Sequence, residues 1–182
     1  MSKIKFRDLR ELYRTKIERE DEWRNALAKA PFDLCKKIAH KLDAPETWTE
    51  PVTNRVRRYI EAISLTDKKP QTSAAGLFGD ITKRGELLAG VSITLDRESK
   101  THPKHSIHFS IAVRFSNKAV QICRWDAKAM TPLANSHWSS DLDALANEII
   151  AQLKTFLEHD PHEGFEKQIQ LGFVRDEPSI LH

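Results

Sequence analysis

The stretch from His105 to Trp125, HSIHFSIAVRFSNKAVQICRW, constrains the fold most, because the residue types of its first half alternate with a period of two. Ile107, Phe109, Ile111, Val113 and Phe115 fall on one side of an extended chain, and Ser106, His108, Ser110, Ala112 and Arg114 on the other. A helix has no use for that period, so the spacing predicts a strand with one buried face. Ser116, Asn117 and Lys118 supply turn chemistry, since Asn tolerates positive φ, and Ala119 to Trp125 reads as the returning strand of a hairpin. Register then decides what each face carries. Pairing Phe115 with Ala119 would send Gln121 and Cys123 to the apolar side, whereas pairing it with Val120 sends Val120 and Ile122 there, and burial favours the second. Cys123 and Trp125 then share the opposite face with His108, Ser110, Ala112 and Arg114, with Trp125 about opposite Ser110.

Glu86 to Asp96 alternates in the same way, with Leu87, Ala89, Val91, Ile93 and Leu95 on one side and Leu88, Gly90, Ser92 and Thr94 on the other. Arg97 to Lys104 is a charged turn between the two runs, so an antiparallel meander follows. After the irregular, Pro132-containing segment, Ser139 or Ser140 caps a helix to about His159, whose apolar stripe runs through Leu142, Leu145, Ala146, Ile149, Leu153, Phe156 and Leu157. Such a stripe packs on a sheet. Nearer the N-terminus, Phe6 to Ala30 lacks proline and glycine and carries apolar residues at helical spacing; Pro31 breaks that helix, and Phe32 to Leu42 forms another. Val52 to Leu65 fits a helix or, over Tyr59 to Leu65, a buried strand. We take it as strand, because Thr66 to Gly85, with Pro70, Gly76, Gly79 and Gly85, reads as a loop between strands. In the tail, Ile169, Leu171, Phe173 and Val174 suit a short edge strand or a docking segment.

The expected architecture is α+β: N-terminal helices, an antiparallel sheet of three or four strands in a meander, and a C-terminal helix packed on one sheet face. A chain of 182 residues is long enough for one good core and short for two full domains, so a single domain is expected over 1–182, with a helical arm at 1–44 and the sheet and helix core at 55–174. The second sheet face is either open to a partner or covered by the N-terminal helices.

Composition excludes several classes. A formal net charge of +3 permits an acidic partner without the concentrated charge of a dedicated nucleic-acid-binding domain. The two cysteines, Cys35 and Cys123, are far apart, which excludes a disulfide framework and local zinc spacing and points to the cytoplasm. No apolar run reaches the length of a transmembrane segment. No GxxxxGK[ST] loop and no GxGxxG after a strand occurs, so nucleotide cofactors have no support and none is expected.

The densest chemical cluster is His102, His105 and His108, but Pro103 and the strand pattern put His105 and His108 on opposite faces, so no metal site is expected. His159 and His162 follow the last long helix, where a cation is favourable. His108-Phe109-Ser110 and His137-Trp138-Ser139 both have the form His-x-Ser, and the pair resembles the motifs of the two-histidine phosphoesterases. The resemblance covers these two tripeptides and implies histidines acting as acid and base on a phosphodiester with hydroxyls binding phosphate. The two pairs are closer in sequence than that family's duplicated lobes, and the second precedes a helix.

For function, the leading expectation is a non-catalytic binding or adaptor protein of unknown partner, using Trp125, Arg114, His108, Ser110, Ser92 and Thr94 on the second sheet face, where an aromatic ringed by hydrogen-bonding groups and an Arg has hot-spot composition. One alternative is a nucleic-acid-associated protein, with Arg55, Arg57, Arg58 and the group Lys36, Lys37, His40 and Lys41 meeting phosphates. The other is a phosphoester hydrolase using His108, Ser110, His137 and Ser139. A protein partner or a second copy of the chain is also expected to find a surface on the N-terminal helices.

Overall fold

A computed structural model of the protein describes residues 5–96, 104–158 and 173–175. In chain order they form helix α1 (Phe6–Leu42), strands β1 (Thr47–Thr49), β2 (Val56–Arg58) and β3 (Ile60–Ser64), a 3-10 helix (Ala74–Asp80), strands β4 (Leu87–Leu95), β5 (His105–Ser116), β6 (Ala119–Asp126) and β7 (Thr131–Pro132), helix α2 (Leu142–Glu158) and strand β8 (Phe173–Arg175). The main sheet runs β3-β4-β5-β6-β7, every pair antiparallel, and β8 pairs with β5 beyond the end of β6. β1 and β2 form a separate hairpin. The fold is therefore α+β with a meander at its centre. Within Val52 to Leu65 the chain forms strands β2 and β3 rather than a helix, and the tail adds its edge strand at 173–175; Ile169, Leu171, His102, His159 and His162 lie outside the described residues.

The hairpin closes in the register that burial favoured, with Phe115 opposite Val120 and Ser116 opposite Ala119. Only Asn117 and Lys118 remain in the turn, at φ 51° and 62°. Positive φ at both central residues is the type I′ geometry, whose twist matches that of the flanking strands. The apolar side of the sheet then gathers Ile60 and Ala62 of β3, Leu87, Ala89, Val91 and Ile93 of β4, Phe109, Ile111 and Val113 of β5 and Ile122 of β6. Leu145, Ala146, Ile149 and Leu153 of α2 bury against this layer, with Phe156 at its margin, and so do Leu27, Leu34 and Ile38 of α1. Both helices pack on the same side of the sheet and touch one another.

Two helix boundaries differ from expectation. α1 passes through Pro31 without a break. A proline inside a helix costs about 3 kcal/mol through its missing N–H and its clash with the carbonyl four residues back. Leu27, Leu34 and Ile38 are all 0 % exposed, and each such side chain contributes roughly 1.5 to 3 kcal/mol on burial. Tertiary packing on both sides of Pro31 outweighs the local penalty. The cap of α2 is Asp141 rather than Ser139 or Ser140: its Oδ1 accepts the backbone N–H groups of Asp143 at 2.9 Å and Ala144 at 3.1 Å. An Asx cap satisfies two of the amides that a helix start leaves unpaired. The segment from Thr66 to Gly85 is less loop-like than its glycines suggested, because Leu77 in the 3-10 helix is fully buried and Ile81 bridges to Leu87.

Lys118 holds a left-handed conformation, which costs a non-glycine residue about 1 to 2 kcal/mol. Lys118→Gly removes that strain and returns part of the gain as chain entropy, so it is expected to stabilise the protein by up to about 1 kcal/mol. A urea midpoint that falls instead would contradict the type I′ turn.

Candidate functional site

On the side away from the helices the register lines up Thr94 with Ser106, Ser92 with His108, Gly90 with Ser110, and Leu88 with Ala112. β6 adds Cys123 beside Ala112 and Gln121 beside Arg114. Each of these follows from alternation: the residues between them fill the core. His108 and Ser110 thus stand on the second face, together with Ser92, Thr94, Arg114 and Trp125. The face is nonetheless closed over much of its area, with Ser92, Thr94, Ser110, Cys123 and Trp125 all buried. The N-terminal helix does not cover it, since α1 lies beside α2.

Local chain provides the cover instead. A Cβ added at Gly90 would stand 2.6 Å from Cγ1 of Ile63 and 3.2 Å from Cδ2 of Leu65, so these two side chains lean over the glycine. At the other end Trp138 packs beside Ala112, Cys123 and Leu88, with Cζ of Arg114 4.0 Å from its ring centre. Arg114 also donates to Oε1 of Gln121 from Nε at 3.2 Å and Nη2 at 3.1 Å. Arg114 and Trp125 therefore share a face but not a site: Arg114 belongs to the row of Gln121, and Cys123 separates that row from Trp125.

Trp125 lines a cleft of about 350 Å³ with Leu65, Thr66, Gly79, Asp80, Ile81, Thr82, Leu88, Ala127 and Met130. Two features of it are chemical rather than merely concave. The Trp125 indole Nε1 is buried and has no hydrogen-bond partner among the described residues, and the same holds for Oγ of Ser92 on the same face. Leaving a buried donor unpaired costs about 1 to 3 kcal/mol. Asp80, 8 % exposed, supplies a carboxylate at the cleft wall, and among the described residues its hydrogen-bond partner is the hydroxyl of Thr66. The cleft thus brings Trp125 and the Asp80 carboxylate into one lining, between the apolar Leu65, Ile81, Leu88 and Met130 and the hydroxyls of Thr66 and Thr82.

The two His-x-Ser pairs do not converge. Ser139 bridges to Ile122, a helix-side residue, so His137 and Ser139 align with the covered side while Trp138 between them turns to the second face. His137 is exposed. His108 and Ser110 lie on the opposite side of the sheet. Cys123 and Cys35 are both buried, and burial pushes each thiol up to about 12, so neither is a thiolate at neutral pH. Among the described residues no three His, Cys, Asp or Glu side chains gather as a metal-holding group.

The basic groups are largely engaged. Arg57 is ion-paired with Glu61 and stands 5.9 Å from the Trp48 ring centre, leaving Arg55 and Arg58 exposed. Lys37 and Lys41 both reach Asp143 at the start of α2, at 2.5 and 3.4 Å, and Lys36 pairs with Asp33 at 3.6 Å. No described helix is long and apolar enough to cross a membrane. Comparison with protein families, with characterised proteins and with solved structures gave no match.

Sequence reasoning missed two groups. Asp80 ends the 3-10 helix in a stretch whose glycines read as loop, and nothing local marks it as buried. Lys104, read as part of a charged turn, has a side chain only 2 % exposed, ion-paired with Asp96 and 3.0 Å from the Tyr59 hydroxyl. Its ammonium lies 5.5 and 5.1 Å from the ring centres of Trp48 and Tyr59, a cation cage assembled from three distant parts of the chain. The hydrogen bonds from Lys104 and then from Tyr59 hold the Asp96 carboxyl below its ordinary value, against the effect of burial. Burial alone would lower the Lys104 ammonium, but Asp96 and Tyr59 outweigh it and the net shift is upward. A depressed acid contributes stability above its unfolded pKa that is lost as pH falls through the folded one. The raised Lys104 loses its contribution only as pH rises through its folded pKa, beyond about 10.4. Asp96→Asn should therefore lower stability at neutral pH and flatten the loss of stability below about pH 4, as read from urea midpoints across an acid series. An unchanged acid limb would remove Asp96 from the account.

Proposed function

We propose that the protein is a non-catalytic binding protein whose cleft beside Trp125 takes a lysine-bearing segment of a partner protein. The observation that carries this reading is the meeting in one cleft lining of the Asp80 carboxylate with Trp125, whose buried indole N–H has no acceptor among the described residues. A backbone carbonyl satisfies the indole, an ammonium pairs with the carboxylate, and the aliphatic stem of a lysine suits Leu65, Leu88, Ile81 and Met130 between them. The cleft is at the small end of the range for specific ligand sites, enough for one side chain and its peptide group. A cytoplasmic setting fits two unpaired, buried cysteines.

The other readings have less to stand on. A phosphoesterase needs both His-x-Ser pairs on one phosphodiester, and they face opposite sides of the sheet. A nucleic-acid protein needs free cations in a row, and Arg57, Lys37 and Lys41 are already paired.

The test uses N-acetyl-lysine methylamide, with the norleucine analogue as its uncharged control, and follows the four indole N–H resonances of the protein by NMR. The Trp125 resonance, assigned by its loss in Trp125→Phe, should move with the lysine probe while those of Trp23, Trp48 and Trp138 hold. Asp80→Asn should weaken that response about tenfold, the equivalent of about 1.4 kcal/mol. No movement at Trp125, or equal binding of the norleucine analogue, would reject the cleft as a lysine site. Turnover of a simple phosphodiester that disappears in His108→Ala would instead establish the hydrolase, and a gel shift that fades steeply with salt would establish the nucleic-acid protein.

A further inference from the structure

Among the described residues the first half of α1 stands apart from the body of the fold. From Trp23 onward the helix docks on the core, whereas Phe6, Leu9, Leu12, Tyr13 and Ile17 are 73, 50, 66, 66 and 36 % exposed. These residues continue the stripe that the second half buries. The positions Phe6, Leu9, Tyr13, Lys16, Glu20 and Trp23 step by three and four in turn, which is the seam of a paired helix, and the sequence of steps reads the same from either end. A groove of about 410 Å³ beside this seam is lined by Leu12, Thr15 and Arg19 together with the seam residues Lys16, Glu20 and Trp23.

Charge along the same helix is divided. Residues 5–16 hold Lys5, Arg7, Arg10, Arg14 and Lys16 against Asp8 and Glu11, a net of +3, and residues 18–22 hold Glu18, Glu20, Asp21 and Glu22 against Arg19, a net of −3. The pairs formed within the helix are surface contacts, such as Lys16 with Glu20 at 3.6 Å and Arg14 with Glu18 at 3.9 Å, and exposed pairs of that kind contribute little. Two such helices side by side in parallel would set like charge over like. Antiparallel, the basic half of each lies along the acidic half of the other.

We propose that the projecting half of α1 is a homodimerisation arm that pairs antiparallel with the same segment of a second copy, about a twofold axis between Tyr13 and Lys16. In that register Phe6 meets Trp23 of the second copy, Leu9 meets Glu20, and Tyr13 meets Lys16. The stems of Lys16 and Glu20 lie along the seam with their charges at its edge, and the two polar layers fix the alignment. Leu12 and Ile17 flank the seam and leave water as the pair closes. The contact is isologous, so it ends at two copies.

Light scattering on the full-length chain across a concentration series is expected to show the 20.9 kDa chain passing to twice its mass. Leu9→Glu with Tyr13→Glu should hold it at the single-chain mass, while the urea midpoint of the body is unmoved because both residues lie outside the core. Orientation is read with single added cysteines and a short bis-maleimide, the native cysteines being buried. Lys16→Cys lies within about 10 Å of its twin across the axis and should cross-link; the two copies of Phe6→Cys lie about 25 Å apart along the helix pair and should not. A single-chain mass at every concentration, as expected if a different protein occupies the arm, overturns the proposal. So does a dimer that survives the double substitution, or cross-linking at Phe6→Cys equal to that at Lys16→Cys, which would mean parallel arms.

Discussion

Phe115 faces Val120 across a two-residue turn, and the composition of both sheet faces depends on that pairing. Slipping it by one residue would turn Cys123 and Trp125 toward the helices and expel Ile122, and it would swing Arg124 away from α2. Arg124 is 7 % exposed and ion-paired with Glu148 of α2, so the slip would cost a buried charge its partner as well as an apolar contact. The turn enforces the pairing by geometry, through positive φ at Asn117 and Lys118. The strands enforce it by burial, because Ile111, Val113 and Ile122 are at most 1 % exposed in this register. Local and long-range preferences agree, which is the condition for a single register.

α1 shows the opposite case, in which the two disagree and packing wins. Its sequence carries a proline where a helix should stop, and the helix continues because the residues on either side of Pro31 are core residues at the same helical spacing. Leu27 and Leu34 lie one turn before and one turn after it, both fully buried under the sheet. Ending the helix at Ala30 would redirect Leu34, Cys35 and Ile38 out of that layer. The same stripe persists toward the N-terminus after the body has ended, which is why one half of a single helix is core and the other half is surface.

The sheet was legible because its signal is periodic and local. Alternation in β4 and β5 fixed the faces, the apolar count fixed the register, and the stripe in α2 matched the face it covers. The candidate site was legible only in part. The placement of His108, Ser110 and Trp125 on the second face follows from parity, whereas the burial of Ser110 and Trp125 does not, because Ile63 and Leu65 come from a run that fits helix and strand alike and Trp138 from an irregular segment. Arg114 looked like a partner of Trp125 since parity gives a face and not a row; the rows set by pairing separate them. Asp80 and Lys104 were illegible for one reason. A buried charge is made by its partners, and Thr66, Asp96, Tyr59 and Trp48 are remote from those charges or unremarkable in sequence.

The polar contacts of α2 explain why the second face is free to differ from a core. Glu148 meets Arg124 of β6, and Asp143 meets Lys37 and Lys41 of α1, so the helix is pinned at one point to the sheet and at another to its neighbour. Asp143 also lies in the first turn of α2, where a carboxylate is favoured by the helix dipole, and the hydrogen bond from Lys37 holds its carboxyl below the ordinary range. These contacts all lie on the helix side. The other side of the sheet carries Ser92 and Trp125 with polar atoms unpaired among the described residues, a cost that a purely structural layer would remove by placing aliphatic residues there. Because the turn and the helix side together fix register and helix placement, the second face can carry that cost without loss of the fold. Substitutions at Ser92 or Asp80 then act on a face whose register is set elsewhere, whereas Trp125 packs with Ala112 and Cys123 and its truncation also opens that small cluster.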